Sequence, residues 1–193
     1  TMICLLPSLV RVDLVEITEP SLRQRKPART DSLYKQTVIM KRIVVTKALS
    51  PQTMTLVKAT APALQQHGVD ITTRMYQRLF VDPEIKALFD MAAQESGAQP
   101  KRLAAAILAF AQNVDKLDVL KPAIERIAGR HVDTHIKPEH YPAVANALLP
   151  AIRDILGEAA TDEILAAWGE AYWFLADILI AREDELYDEA QAA

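Results

Sequence analysis

Leu120, Ile124, Ile127 and His131 recur at steps of four, three and four residues, the spacing that keeps one face of an α-helix in register. Thirty-two residues before His131, Gln99 opens a second stripe of the same kind, Gln99, Leu103, Ile107 and Phe110. A chain with two such faces is constrained to lay helix against helix. Opposed, the stripes place an imidazole on one side and a hydrogen-bonding amide on the other. That slot suits a flat, apolar, metal-containing ligand, and haem is the obvious candidate. A histidine on an apolar face is also often a core residue satisfied by its neighbours, so the neighbours decide.

Composition supports a helical chain. Half of the 193 residues are hydrophobic and five are Gly, which favours helices over a sheet-rich fold in one domain with a substantial core. The net charge of −3 argues against a general nucleic-acid binder, which normally carries a basic surplus. The single cysteine, Cys4, excludes an intrachain disulfide and any multi-cysteine metal site, as suits a reducing compartment. No apolar run is read as reaching membrane-spanning length. Met2 to Val10 is too short to span and lacks a basic region before it, which argues against a signal peptide. The cytoplasm is the default expectation.

Residues 1–48 differ from the remainder. They hold nine Lys or Arg against four Asp or Glu. Arg23, Arg25, Lys26 and Arg29 cluster near Pro20 and Pro27, and Ile43-Val44-Val45-Thr46 is β-branched. One reading is a basic tail that seeks an acidic lipid or a partner. The other is a poorly ordered N-terminal extension without the apolar periodicity needed to dock, with Met40 or Met54 as a later start. The domain boundary is placed at 48/49, with 49–193 as the folded domain.

Beyond Ser50 the helix punctuation is regular. Ser50-Pro51 reads as an N-cap followed by proline at the first helical position. Met54, Val57, Ala61 and Leu64 form one face, and Gly68 is expected to end that helix. A second helix runs from Asp70 through Met75 and Leu79, and Asp82-Pro83 starts a short third one with Leu88 and Phe89. Ala92 to Ala98, with Ser96-Gly97, reads as a mobile connection. Pro100, Pro122 and Pro138 begin further helices. Gly157 breaks the last of these, and Thr161 caps a long final helix through Trp168, Tyr172, Leu175, Leu179 and Glu183. The expected class is all-α, with about seven helices.

Some polar side chains fall on inward faces. Tyr141 opens the inward stripe of its helix, and Glu183 continues Tyr172, Leu175 and Leu179. A carboxylate on an apolar stripe is costly unless paired. Its candidate partners are Tyr141 and the His131 ring, where an acceptor for the outer N–H would fix the tautomer and strengthen a metal ligand. The rival is a solvated residue in a fraying last turn. Tyr76 and Phe89 could be ordinary core aromatics. His67, beside Gly68, and His135 and His140, near Pro138, read as surface residues.

From about Ala48 to Glu189 the chain resembles the bacterial haemoglobins, both the single-domain Vitreoscilla type and the globin half of flavohaemoglobins. The resemblance rests on Val57-Lys58-Ala59-Thr60, the Tyr76 helix, Leu88-Phe89-Asp90-Met91 and Gln94-Glu95-Ser96. It continues through Gln99-Pro100, His131, Tyr141, Ala159-Ala160-Thr161-Asp162 and Ala167-Trp168-Gly169. It implies a globin fold binding haem b, with His131 as the iron ligand and Phe89 wedged against the porphyrin. Tyr76, Gln99 and Leu103 would line the distal pocket, and Tyr141 with Glu183 would form the proximal hydrogen-bonding pair.

The function so implied is reversible O₂ binding for storage or delivery. The alternatives are nitric oxide dioxygenation, which requires an external flavin reductase, and haem-based gas sensing with the basic segment as output. O₂, NO and CO are the implied ligands, and a homodimer is compatible with the family. Two departures stand out. Trp173-Phe174 occupy positions where the family has a small residue and a medium aliphatic one. Flavohaemoglobins also continue beyond the position of Ala193 into flavin and nicotinamide domains, and no Gly-rich dinucleotide motif lies within these residues.

Overall fold

The structure is a computed structural model that describes residues 48–192; the basic patch, Cys4 and the proposed extension lie outside the described residues. Among the described residues there are eight α-helices and three short 3₁₀ turns, and no strand. We number the helices α1 (Pro51–Ala59), α2 (Ala61–Leu79), α3 (Pro83–Lys86), α4 (Met91–Glu95), α5 (Ala98–Asn113), α6 (Lys121–Asp133), α7 (Tyr141–Leu156) and α8 (Asp162–Ala192).

Local sequence sets most of the boundaries. Ser50 Oγ accepts from Thr53 N at 3.0 Å and starts α1, and Thr161 Oγ1 accepts from Ile164 N at 3.3 Å at the start of α8. Asp82 and Asp90 cap the short helices α3 and α4 through their carboxylates. Each such cap contributes about 0.5–2 kcal/mol. At the end of α6, Ile136 N donates to His131 O at 2.8 Å, and His135 takes a left-handed φ of 57°. This tight exit holds His131 in the last turn.

Three expectations need correction. The first helix ends at Thr60 rather than Gly68, and α2 runs unbroken through Gly68 to Leu79. Thr60 Oγ1 donates to Val57 O at 2.6 Å and Pro62 starts the next helix, while Gly68 lies where α2 crosses α5. A Cβ placed at Gly68 would sit 3.4 Å from the Ala104 Cβ. Gly68 therefore permits close helix packing instead of ending a helix. The stretch 92–98 is not an open connection, because α4 occupies Met91–Glu95 under the Asp90 cap. Finally, α8 is long and apolar enough to cross a membrane by length and composition. Trp168, Ala171, Ala176 and Leu179 on that helix are buried inside the protein, which accounts for part of its apolar character.

Packing follows the stripes. Helix α2 lies against both α5 and α7, while α8 packs against α1, α6 and α7. Ile71, Met75 and Val57 are among the most deeply buried side chains, each stabilising by about 1.5–3 kcal/mol. Polar ties join the layers. Trp168 Nε1 donates to Thr60 Oγ1 at 3.2 Å, and Thr53 Oγ1 donates to Glu170 Oε2 at 2.8 Å. Thr72 Oγ1 donates to Pro100 O at 2.9 Å, fixing the start of α5 against the middle of α2. That tie sets Gln99 opposite Tyr76.

Candidate functional site

On one side of the site, α6, α7 and α8 bring three polar side chains to one point. Glu183 is 2% exposed. Its Oε1 lies 2.7 Å from His131 Nδ1 and accepts from the Tyr141 hydroxyl at 2.6 Å. Tyr141 Oη is also 3.2 Å from His131 Nδ1. A carboxylate only accepts, so Nδ1 carries the proton, and the lone pair of the neutral ring stands on Nε2. The His131 side chain retains 31% exposure. Glu183 Oε2 is buried with no hydrogen-bond partner. Glu183 is thus in the core rather than on a frayed end.

Two further tyrosine hydroxyls tie the backbone around these three side chains. Tyr172 Oη donates to Tyr141 O at 2.7 Å, and Tyr187 Oη donates to Ile136 O at 3.0 Å. Burial first, then the hydrogen bond and negative charge of Glu183, push the Tyr141 phenol well above its ordinary range, so Tyr141 stays a neutral donor. Ala128, Tyr141, Ala176 and Leu179 form a small apolar cluster around it, with Ile124 and Ile127 packed against it. Trp173 does not crowd this cluster: it is exposed and stands edge-on to Tyr172 with ring centroids 5.4 Å apart. Phe174 packs on the main core.

The other side is built on α2, α4 and α5. Tyr76 is buried, and its ring meets Phe89 edge-on at 5.6 Å and Phe80 at 5.3 Å, with Phe80 and Phe89 5.2 Å apart. Such pairs contribute about 0.5–1.5 kcal/mol each beyond their area. Burial pushes the Tyr76 phenol up, and the Gln99 amide, then the Gln94 amide, then the Arg102 charge partly oppose that. Arg102 Nη2 donates to Gln99 Oε1 at 2.8 Å, so the NH₂ end of Gln99 is the end free for Tyr76. Leu103 and Ile107 are partly buried on the same helix, against the core.

Phe80, Arg102 and Thr72 were not singled out from sequence, and Gln94 entered only within the Gln94-Glu95-Ser96 motif, with no role of its own. Phe80 and Gln94 lie on no long stripe, and Thr72 matters only through a contact 28 residues away. The other histidines stand apart: His135 is exposed and His67 and His140 are half-buried. His67 Nδ1 is 4.0 Å from Asp70 Oδ2 within α2, and His140 Nδ1 accepts from Lys137 N at 3.1 Å.

The donor set discriminates between ligands. Among the described residues, no three His, Cys, Asp or Glu side chains gather as a metal site. One imidazole with Nδ1 anchored and Nε2 left to bind fits an iron already held by porphyrin nitrogens, and Leu103, Ile107, Ile124 and Ile127 are partly buried apolar side chains on the helices that carry Gln99 and His131.

The globin family model matches residues 73–179. A flavohemoprotein from Xylella fastidiosa is 57% identical over 136 residues, which are 70% of this chain and 34% of that protein. The chain therefore spans about a third of the length of the curated relatives it matches. A carbene transferase engineered from a Rhodothermus marinus protein, itself named as a nitric oxide dioxygenase, superposes with a TM-score of 0.70 at 40% identity. That likeness covers 74% of this chain and 99% of the other. A Malassezia yamatoensis flavohemoglobin with bound FAD and heme superposes with a TM-score of 0.67 at 33% identity, covering 72% of this chain and 38% of that one.

Proposed function

The chain belongs to the globin family, and from that premise we propose that it holds haem b through His131 and converts nitric oxide to nitrate with O₂. The observation that carries this reading is the Glu183 carboxylate, which accepts from both His131 and Tyr141. When bound, haem supplies a redox-active iron that takes diatomic gases.

The chain's own residues set the terms of that chemistry. Glu183 draws on the Nδ1 proton and makes Nε2 of His131 a more electron-rich donor. Tyr141 shares the carboxylate and keeps it from turning away. The Tyr76 hydroxyl would donate to a bound gas, and Gln99 would support that hydroxyl. A hydrogen bond to a partly negative acceptor is worth about 1.5–3 kcal/mol. Leu103 and Ile107 would keep water away, and Phe89, edge-on to Tyr76, would pack against the haem. Within this reading the globin domain is 49–193, with 1–48 as an extension.

Nitric oxide, O₂ and one electron balance to nitrate, so turnover needs an electron donor, for which a flavin reductase is the partner by class. A second reading, reversible O₂ storage, is favoured by the Tyr76–Gln99 donors, which retain O₂ without requiring electrons. The deciding experiment measures nitric oxide consumption by the haem-loaded protein with NADH and an added flavin reductase. Sustained, O₂-dependent consumption with matching nitrate is expected. Reversible O₂ binding with no nitrate above the reductase blank would overturn the enzymatic reading in favour of storage.

A further inference from the structure

Helix α6 carries His131 with little packing of its own. Ala128 is the one buried residue among its 13, and the helix packs chiefly on α8 and on the short turn Leu117–Leu120 before it. Where α6 lies on α8 therefore decides whether His131 Nδ1 meets Glu183. Apolar contact alone sets that angle loosely, since helix crossings scatter by about 15–20° within one packing class.

Polar ties join the two helices at three levels. Arg182 Nε donates to Glu125 Oε2 at 2.9 Å, His131 Nδ1 lies 2.7 Å from Glu183 Oε1, and Tyr187 Oη donates to Ile136 O at 3.0 Å just past the end of α6. Residues 125, 131 and 136 meet 182, 183 and 187 in the same order, so the contact at His131 lies between two outer ties. Glu125 stands six residues before His131, about 9 Å along the helix axis. Without its tie, α6 can tilt about the Tyr187 end, and a hydrogen bond to Nδ1 is weakened once the atoms part beyond about 3.2 Å.

Arg182 is itself anchored on α8. Its Nη1 donates to Glu185 Oε2 at 2.8 Å and lies 3.5 Å from Glu189 Oε1, and its side chain is 25% exposed. These two carboxylates leave the Nε edge of the guanidinium for Glu125. A half-exposed ion pair adds little to stability, but a planar fork held by three carboxylates fixes geometry. Resting on the reading of His131 as the iron ligand, we propose that Arg182 is a positioning residue for that ligand: by holding Glu125 it sets the tilt of α6 on α8 and keeps His131 Nδ1 on the Glu183 carboxylate.

The test uses the haem-loaded protein. Glu125→Ala cuts the tie between the helices, whereas Glu185→Ala takes the same charge from the same guanidinium and leaves that tie; haem content reports folding in both. In the ferrous protein Glu125→Ala is expected to lower the iron–histidine stretching frequency, because a looser Nδ1 contact makes Nε2 a poorer donor, and Glu185→Ala to leave it in place. Glu125→Gln, which keeps an acceptor oxygen, is expected to restore most of the parent frequency. In the CO-bound protein, exchange of the His131 Nδ1 proton with water, followed by ¹⁵N NMR, is expected to quicken about two- to fivefold in Glu125→Ala, the range of one exposed ion pair. In a Glu183→Gln background the same substitution is expected to move the frequency much less, because Arg182 acts through that carboxylate.

An unmoved frequency or an unchanged exchange rate in Glu125→Ala, beside a normal iron–histidine band in the parent, overturns this assignment alone. Equal effects of Glu125→Ala and Glu185→Ala also overturn it, by tracing them to charge near Glu183 rather than to the tilt of α6. A haem-loaded parent without an iron–histidine band overturns the ligand reading and this assignment together.

Discussion

Glu183 Oε1 lies 2.7 Å from Nδ1 of His131, across 52 residues of chain. Glu183→Gln keeps the shape and removes the charge. If His131 is the iron ligand, its Nε2 becomes a weaker donor, so the iron–histidine stretching frequency should fall and the haem potential should rise. Nitric oxide turnover should fall more than O₂ affinity does, because the carboxylate acts more on the reaction than on binding. Resonance Raman of the ferrous proteins checks it. An unshifted band would sink the proximal role of Glu183.

Removing the ring gives a second check. His131→Ala should abolish stable haem uptake and also strand the buried Glu183 side chain with Tyr141 as its remaining hydrogen-bond partner, at a cost of about 3–5 kcal/mol. Added imidazole should restore a Soret band by occupying the space the side chain leaves. Full haem content without imidazole would point to another ligand, with His135 the first to examine.

The two long stripes were legible because helical periodicity survives whatever packs against it. Glu183 follows Leu175 and Leu179 at one-turn spacing, so its inward direction could be read from sequence, and so could that of Tyr141. What the spacing left open was the partner, and the structure gives Glu183 both. Gly68 was misread because a glycine that ends a helix and one that lets two helices touch are alike in sequence; the difference is Ala104, 36 residues on. The aromatic group around Tyr76 was unreadable as a unit. Phe80 terminates α2 and Phe89 follows α3, and only the turn between them brings their rings together.

Alkaline pH should unfold this protein early. Burial raises the phenols of Tyr76, Tyr141 and Tyr172 above the ordinary value of 10.0. The unfolded chain therefore releases these protons first. Their stabilisation is complete below about pH 10 and is lost as pH rises toward and through the raised folded values, by about 1.4 kcal/mol per pH unit for each phenol still protonated in the folded state. Urea midpoints between pH 8 and 11.5 should fall steeply only above 10, and less steeply in Tyr172→Phe. A flat midpoint across that range would contradict the burial of these hydroxyls.

Thr60 joins α1 and α2 and also receives the Trp168 indole. Thr60→Val preserves the volume and leaves that buried N–H without an acceptor, which should cost about 1–3 kcal/mol. The double variant with Trp168→Phe should lose less than the sum of the two single changes. Denaturant midpoints measure both, and strict additivity would show that the indole bond contributes nothing.

Arg102 offers a sharp test of the distal side, because its hydrogen bond to Gln99 stands beside a weaker effect of its charge on the Tyr76 phenol. Its guanidinium donates to Gln99 Oε1, which turns the NH₂ end of that amide toward Tyr76. Arg102→Ala frees the amide to rotate, so for part of the time Gln99 would present an oxygen to the Tyr76 oxygen and pull the phenol proton away from the gas. The O₂ off-rate should rise about two- to fivefold, less than the loss of a full hydrogen bond. Arg102→Lys should recover only part of the effect, since a point-like ammonium lacks the planar fork that fixes an amide. Arg102→Ala made together with Gln99→Leu should behave as Gln99→Leu alone. Two independent, multiplying effects would instead mean that the Arg102 charge works directly at the mouth of the site, and its hold on Gln99 would then be incidental.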